Sequence, residues 1–200
     1  MTIGLAPRHG WGRAAYRPSP HSHVNRAARL LWSLTWLLLF RPSPKPLHGW
    51  RRILLRAFGA RLGRKVSVHA SARVWAPWNL EMGDFSSLAP FVDCYCVDRV
   101  RLGRCVTVSQ YSFICTAGHD IDSPDMRLTT APVTLEDHVW IAADAFVAPG
   151  VRVAAGAVVG ARASVFADVP AWTVVGGNPA RPLRMRSRSV AAGPARGAQA

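Results

Sequence analysis

An aliphatic residue returns at every sixth position in the C-terminal half of this 200-residue chain. The unbroken series comprises Leu135, Ile141, Val147, Val153, Val159 and Val165. A period of six fits neither an α-helix of about 3.6 residues per turn nor a long strand with alternating side chains. It fits short strands joined by tight corners rich in Gly, Asn and Asp, with one inward aliphatic residue on each side of a coil. The pattern predicts an all-β solenoid whose stacked coils bury a common core.

The same spacing joins Leu102, Val108 and Ile114 and is then lost until Leu135. The interruption contains residues 116–132, with His119 close to its start. A corner of a coil can carry a long loop without disturbing the stack, and functional residues concentrate in such loops. We therefore expect a protruding loop that reaches a neighbouring subunit and walls a substrate pocket. The alternative is a loop that only stabilises an oligomer.

The net charge of +14 is unevenly distributed along the chain. Residues 1–80 hold 14 Lys and Arg and no Asp or Glu, whereas residues 81–180 hold 6 Arg and 11 acidic residues. The last 20 residues hold 5 Arg and no acid. The basic excess belongs to the two ends, so a basic groove across the core, and with it nucleic-acid binding, is not expected.

The N-terminal third precedes the repeat and is predicted to be helical. Residues 1–23 lack an apolar period and indicate a disordered basic tail, and 24–65 form a basic, amphipathic segment. We predict one helix over 24–40, with Asn25 as N-cap, and another over 50–63. In the second, one face would carry Ile53, Leu54, Ala57 and Phe58, with the arginines elsewhere on the helix.

Two interpretations of the segment 24–65 are compatible. It could cap the end of the solenoid with its arginines in solvent, or it could lie on an anionic membrane surface as an interfacial anchor. Its apolar run, 30–40, is too short to cross a bilayer, which needs about 20 residues. Cys94, Cys96, Cys105 and Cys115 lack zinc-site spacing and are expected to be reduced core residues. Few cysteines and no secretory signal favour the cytoplasm, at most peripheral at the inner face of the membrane.

Four stretches resemble the hexapeptide-repeat acetyltransferases, and the colanic acid biosynthesis subgroup most. They are "WRRILLRAFGARLGRKV" (50–66), "CTAGHD" (115–120), "VWIAADAFVAPGV" (139–151) and "GAVVGARASVFADVPAWTVVGGNPAR" (156–181). The resemblance covers roughly residues 25–185. It implies a left-handed parallel β-helix over 66–176 and a homotrimer with active sites between subunits. It also implies acetyl-CoA as donor and a sugar hydroxyl as acceptor, in exopolysaccharide biosynthesis, with no metal.

Transfer of an acetyl group from a thioester to an alcohol needs a base for the hydroxyl proton, and a neutral histidine suits that task. The resemblance places the family's catalytic base at His119, in the pattern T-x-x-H-D; a loop histidine without a role is the alternative. Asp120 either orients His119 or caps the loop, and Glu136 could orient the ring from the adjoining coil. Asp93, on the preceding coil, is predicted to face the acceptor.

The resemblance places the coenzyme on the coils after the loop. The predicted contacts are Trp140, Ala142, Ala143, Ala161 and Arg162, followed by Asn178, Pro179 and Arg181 in a coenzyme-side segment, 177–185. Trp140 could instead simply close a corner. Many relatives carry Lys where this chain has Ala167, so that contact is missing or is supplied by Arg162 or Arg184. Residues 186–200 are predicted to be a disordered tail.

Three other functions remain as alternatives at the level of sequence. A γ-type carbonic anhydrase shares the solenoid but needs three histidines on a metal, and His119 and His138 have no suitably placed third. A non-catalytic scaffold would have lost the chemistry while keeping the fold. An acetyltransferase acting on a small xenobiotic would share every feature described above.

Overall fold

The computed structural model describes residues 22–187. They form a parallel β-solenoid of about six turns, preceded by two helices. The helices are α1 (His23–Thr35), which continues as a π-helical turn (Trp36–Phe40), and α2 (His48–Ala57). A short 3₁₀ turn spans Pro77–Asn79.

Three sheets, named A, B and C in the order in which the chain visits them, form the sides of the solenoid. Strands are numbered in chain order. Sheet A contains β1 (Arg61–Leu62), β4 (Leu80–Met82), β7 (Val100–Leu102), β12 (Val133–Leu135) and β15 (Arg152–Val153). Sheet B contains β2 (Ser67–Val68), β5 (Ser87–Leu88), β8 (Thr107–Val108), β13 (Trp140–Ile141), β16 (Val158–Val159), β18 (Thr173–Gly176) and β19 (Arg181–Met185). Sheet C contains β3 (Arg73–Val74), β6 (Asp93–Tyr95), β9 (Phe113–Cys115), β14 (Phe146–Val147) and β17 (Ser164–Val165).

The sixfold aliphatic series forms the core, which confirms the predicted solenoid. Every member from Leu135 to Val165 is at most 1% exposed. Parallel pairing stacks like on like, for example Val147 on Ile114 and on Val165. Cys94 belongs to the same inward column, and all four cysteines are free thiols, three of them buried. The first strand, β1, begins at Arg61, five residues before the predicted start at 66.

The interruption of the repeat falls at the edge between sheets C and A. There the chain forms a hairpin of β10 (Ala117–His119) and β11 (Leu128–Thr130), which pair antiparallel. The two preceding coils also carry two extra residues at this edge, since Val74 is followed inward by Met82 and Cys94 by Leu102. The hairpin is therefore the largest of three insertions on one edge.

The residue types at the corners differ from the Gly, Asn and Asp that were expected. Within residues 22–187, ten non-glycine residues have positive φ, among them Lys65, Cys105 and His138, whereas only four glycines do. Glycine is needed instead where coils stack most closely. A Cβ on Gly83 would lie 2.6 Å from the carbonyl carbon of Gly103 in the next coil, which is shorter than any real contact.

The first helix packs on the first coil of the solenoid, at the N-terminal end of the stack. Its N-cap is Ser22, whose hydroxyl accepts the backbone N–H of Asn25, so the prediction of Asn25 as cap was wrong. The inner side presents Trp32, whose indole N–H donates to the carbonyl of Val74 at 2.7 Å. Trp36 donates likewise to Ala72 at 3.0 Å. Packing as a cap is thus observed, and leucines on the opposite side of the helix, such as Leu31 and Leu38, are exposed.

The second helix departs from its predicted face. It ends at Ala57 rather than 63, because Gly59 adopts a φ of +89° and reverses the chain towards β1. Leu55 is fully buried, while Ile53 is 59% exposed. Arg51 is also fully buried, so the prediction that all the arginines lie in solvent was wrong.

Arg51 satisfies its guanidinium entirely from the surrounding chain. It donates to the carbonyls of Val68, Pro44 and Lys45 at 2.7–2.9 Å, and to the hydroxyl of Ser43 at 2.9 Å. A fifth contact, at 3.0 Å, is with Nδ1 of His48. One side chain therefore ties the connection between the helices to the first coil. Burial lowers the pKa of Arg51 from its ordinary value.

Candidate functional site: a histidine hairpin and an aromatic groove

His119 ends the first strand of the hairpin and is exposed. Its Nδ1 lies 2.6 Å from the backbone carbonyl oxygen of Met126, which closes the hairpin opposite it. A carbonyl only accepts, so Nδ1 must carry the hydrogen and the neutral ring presents an unprotonated Nε2. This is the tautomer that a general base needs.

Neither predicted orienting carboxylate contacts His119 in the subunit. Asp120 accepts the backbone N–H of Asp122 at 3.2 Å, which is the loop-capping alternative. Glu136 is engaged on both oxygens, with the guanidinium of Arg152 and the backbone N–H of Ala155. Glu136 as the partner of His119 is therefore corrected: Arg152 and the Ala155 amide occupy its carboxylate, and the carbonyl of Met126 takes the orienting place.

The predicted coenzyme residues lie on a different edge, between sheets B and C. The backbone N–H of Arg162 donates to the carbonyl of Ala143 one coil below, at 2.9 Å, so these corner residues stack in a column. Ala161 is exposed beside Arg162, and Ala142 is buried with its carbonyl accepting the hydroxyl of Ser112. The guanidinium of Arg162 is 85% exposed and 3.2 Å from Asp144.

Trp140 does not close a corner, contrary to the alternative raised for it. It lies within β13 on the outer side of sheet B, is 46% exposed, and donates its indole N–H to the hydroxyl of Ser109 at 3.0 Å. The flat indole surface is thereby held in place on the same coil as Ala143, beside the column that Ala143 and Arg162 form.

The segment 177–185 folds back over the last coil. Its strand β19 pairs antiparallel with β18. Asn178 and Pro179 precede this strand, Arg181 begins it, and all three are exposed. Pro179, Arg181 and Ala167 line one small cavity of about 180 Å³. The predicted tail begins later than expected, because the backbone N–H of Arg186 donates to Trp172 and its side chain to the carbonyls of His138 and Gly156. Residues 188–200, like 1–21, lie outside the described part.

Asp93 lines a groove of about 520 Å³ between α1 and sheet C. Trp36 and Arg29 form the helical wall; Arg73, Trp75 and Tyr95 form the wall of the sheet. Burial raises the pKa of the Asp93 carboxyl, and the positive charge of Arg73 partly offsets this rise. The carbonyl of Tyr95 accepts both the backbone N–H and the hydroxyl of Thr116, so the groove adjoins the base of the hairpin that carries His119.

The candidate residues thus occupy two separate edges of one subunit. Asp93 and His119 belong to sheet C and its edge with sheet A, while the column of Ala143 and Arg162 lies across sheet C at the edge with sheet B. One side of the coil holds about six residues, which separates the edges by roughly 15 Å. Among the described residues, no three His, Cys, Asp or Glu side chains cluster as a metal site would require.

Comparison with known proteins agrees with this architecture. The chain is 39% identical over 156 residues to the colanic acid biosynthesis acetyltransferase WcaF of Escherichia coli K12, covering 78% of this chain and 86% of the relative. It is 33% identical over 126 residues to a galactoside O-acetyltransferase of Lactococcus lactis, covering 61% and 54%. No family model matches.

Two solved structures share the fold closely. A hexapeptide-repeat acetyltransferase of Vibrio cholerae O1 biovar eltor, solved with acetyl coenzyme A, superposes with a TM-score of 0.77 at 26% identity, covering 86% of this chain and 93% of that one. A maltose O-acetyltransferase of Clostridium difficile 630 gives 0.77 at 24% identity, covering 84% and 90%. The solenoid is thus the left-handed parallel β-helix of this class. The chain belongs to the hexapeptide-repeat acetyltransferase family.

Sequence reasoning missed the carbonyl of Met126 and the helical wall of the groove. A backbone acceptor leaves no mark in residue type. Arg29 and Trp36 were assigned to a cap or a membrane anchor, and the period of four that joins Trp32 to Trp36 and Phe40 was the signal that α1 packs inward on the solenoid.

Proposed function

We propose that this protein transfers an acetyl group from acetyl-CoA to a hydroxyl of a sugar, with His119 as general base. The observation that carries the proposal is the contact of Nδ1 with Met126, which supports Nε2 as the proton acceptor. An aromatic groove containing a carboxyl group adjoins the hairpin and is suited to a sugar, whose C–H faces stack on rings and whose hydroxyls bond to Asp93.

The reaction balances with these groups alone. Nε2 removes the hydroxyl proton as the acceptor oxygen attacks the thioester carbonyl carbon. The tetrahedral oxyanion then collapses, the C–S bond breaks, and the imidazolium returns its proton to the thiolate of CoA. Trp140, Ala142, Ala143, Ala161 and Arg162 would hold the pantetheine arm, and Asn178, Pro179 and Arg181 the nucleotide end. Arg181, which shares a cavity with Ala167, would supply the charge of the absent lysine.

A trimer reconciles the two edges. His119 and the coenzyme column cannot meet across sheet C of one subunit, but they can meet when the hairpin of one copy reaches the coenzyme edge of the next. We therefore place each active site between subunits, which keeps the homotrimer as part of the proposal.

A panel of sugars and glycosides, with acetyl-CoA and a thiol-reactive dye to detect released CoA, tests the proposal. The His119→Ala variant should reduce turnover by roughly two to four decades. The matched control is His138→Asn, which changes another solenoid histidine at a position of positive φ that asparagine tolerates. Unchanged turnover in His119→Ala would overturn the assignment, and release of CoA with small xenobiotic alcohols alone would redirect the acceptor class.

Peripheral membrane contact is a second component of the proposal, carried by the exposed side of α1 and the turn that continues it. Five leucines there are 48–65% exposed and form the leucine face: Leu30, Leu31, Leu34, Leu37 and Leu38. Their spacing places them along one stripe of the helix, and the first 80 residues contain no acid. None of the described helices is long and apolar enough to cross a membrane. This combination suits an anionic lipid surface, where an exopolysaccharide precursor is assembled on a lipid.

Flotation with vesicles of phosphatidylglycerol and phosphatidylcholine tests this contact. Leu31→Gln with Leu38→Gln should reduce the bound fraction at least about fivefold, because each loses burial of a full side chain. Leu183→Gln, also an exposed leucine but at the other end of the solenoid, is the control. Equal flotation of all three proteins would remove the leucine face from the proposal.

A further inference from the structure

The groove between α1 and sheet C contains more positive charge than a neutral sugar requires. Its walls carry two guanidinium groups, those of Arg29 and Arg73, against the single carboxyl of Asp93. Neither arginine forms a salt bridge with Asp93 in the part of the chain that is described. Each is instead held by an aromatic ring.

Arg29 is the better defined of the two. Its Cζ lies 4.2 Å from the centroid of the Trp75 ring, well within the distance of a cation–π contact. Its Nε is buried and has no hydrogen-bond partner among residues 22–187. A buried donor without a partner costs free energy, so a ligand that accepts a hydrogen bond there is favoured.

Arg73 faces the same space from the opposite wall. Its Cζ lies 6.0 Å from the centroid of the Trp36 ring, and its backbone is in register with Asp93 on the next strand. Two planar forks on opposite sides of one groove match an anion with several terminal oxygens, such as phosphate, better than a carboxylate, which one arginine binds in bidentate fashion.

The groove also reaches the leucine face. Leu37 lines the groove and is 54% exposed, so it lies at the border between the groove and the rest of the leucine face. At the other end of the groove, the carbonyl of Tyr95 accepts the hydroxyl of Thr116, and His119 follows Thr116 by three residues in the chain. A sugar near His119 with its phosphates between the arginines would direct the substituent on the phosphates towards Leu37.

We propose that this groove is a phosphate subsite for an acceptor that carries its sugar on a diphosphate, bound by Arg29 and Arg73. The proposal rests on the proposed function, because it specifies the acceptor. A diphosphate could come from a polyisoprenoid lipid or from a sugar nucleotide, and both present the same oxygens to the arginines.

Calorimetric titration with inorganic pyrophosphate tests the subsite without catalysis. The titration is made on the full chain with saturating CoA, which removes the coenzyme site from competition. Arg29→Gln and Arg73→Gln should each weaken binding at least about tenfold, since each loses hydrogen bonds to a charged group. Arg61→Gln, an exposed arginine on sheet A outside the groove, should bind as the wild type does.

Arg29→Lys and Arg73→Lys separate recognition from folding, because they keep the charge and remove the planar fork. They should fall between the wild type and the glutamine variants, with thermal melting unchanged. Farnesyl diphosphate and uridine diphosphate then identify the source: whichever binds more tightly than pyrophosphate marks a lipid or a nucleotide acceptor.

Equal pyrophosphate binding by the wild type and both glutamine variants would overturn the subsite, as would preferential binding of galacturonate. The His119→Ala variant should bind pyrophosphate normally. Loss of the subsite with retained acetylation of neutral glycosides would leave the proposed function standing, and intact pyrophosphate binding without any acetyl transfer would reject the proposed function alone.

Discussion

The Nδ1 atom of His119 and the carbonyl oxygen of Met126 are 2.6 Å apart across a hairpin that projects from the solenoid. The contact fixes the ring through the backbone, so the side chain of Met126 is free to change. Hydrogen bonds between Asp120 N–H and the carbonyl of Arg127, and between Ala131 N–H and that of Thr116, hold the two strands in register. The orientation of His119, the proposed base, therefore depends on the hairpin and not on a carboxylate.

Met126→Ala should preserve turnover within about twofold, because the orienting carbonyl remains. Replacing residues 121–126 by two glycines should reduce turnover by about a hundredfold, the usual consequence of a misplaced catalytic group. Release of CoA at saturating acetyl-CoA measures both. A shortened hairpin with normal turnover would show that the carbonyl does not orient His119.

Asp93→Asn should separate stability from activity. Burial raises the pKa of Asp93, so the folded chain holds this proton more tightly than the unfolded chain. The contribution of the group to stability is therefore greatest at low pH and is lost as pH rises through the native pKa. Asparagine cannot ionise, so the variant should be at least as stable as the wild type at pH 7.

The same variant should lower acetyl transfer to sugars by about ten- to a hundredfold, the value of a hydrogen bond involving a charged group. Urea unfolding at pH 4 and pH 7, together with steady-state kinetics, makes the comparison. Lower stability at pH 7 with normal kinetics would assign Asp93 to the framework and not to the acceptor.

Arg51→Lys should destabilise the fold by about 3 kcal/mol or more, because an ammonium has three donors where the guanidinium satisfies five contacts. Arg61→Lys, in solvent on the first strand, should change the free energy of unfolding by less than about 0.5 kcal/mol. Urea unfolding of both variants measures the difference. Equal stability of the two variants would mean that the hydrogen bonds from Arg51 to Ser43 and Lys45 do not stabilise the fold.

His48 should make the N-terminal helices sensitive to acid. Burial lowers its pKa most, followed by the charge of Arg51; a backbone hydrogen bond with Val68 opposes them less strongly, and the charge of Arg52 adds a further decrease. The unfolded chain then binds this proton more readily than the folded chain, so stability is present above the ordinary histidine pKa and falls as pH drops below it. The pKa of the neighbouring His69 is also lowered, by burial and by the charge of Arg51, so His69 adds to the loss of stability in acid.

His48→Asn should flatten the dependence of the unfolding free energy on pH between roughly 5 and 7, the range in which histidine titrates. The asparagine oxygen can still accept from Arg51. Tryptophan fluorescence, with Trp50 on the same helix, follows the transition. If the unfolding free energy of the variant depends on pH as steeply as that of the wild type, groups other than His48 cause the acid sensitivity.

The sequence predicted the solenoid because burial repeats with the period of the coil, and every member of the series from Leu135 to Val165 is buried as expected. It could not predict which residues adopt positive φ, since stacking forces Cys105 and His138 into a conformation that their side chains disfavour. Nor could it place Glu136, whose partner Arg152 comes from the next coil. His119 was located by the broken period, but the distance between its edge and that of Arg162 required coordinates.

That separation has a genetic consequence. In the proposed trimer, a subunit lacking His119 still offers an intact coenzyme edge, and a subunit lacking Trp140 still offers an intact hairpin. Two alleles that are each inactive alone could therefore restore some activity when expressed together, because mixed trimers would contain junctions built from two undamaged halves. Complementation between such alleles is open only to an enzyme that divides its active site between copies of itself.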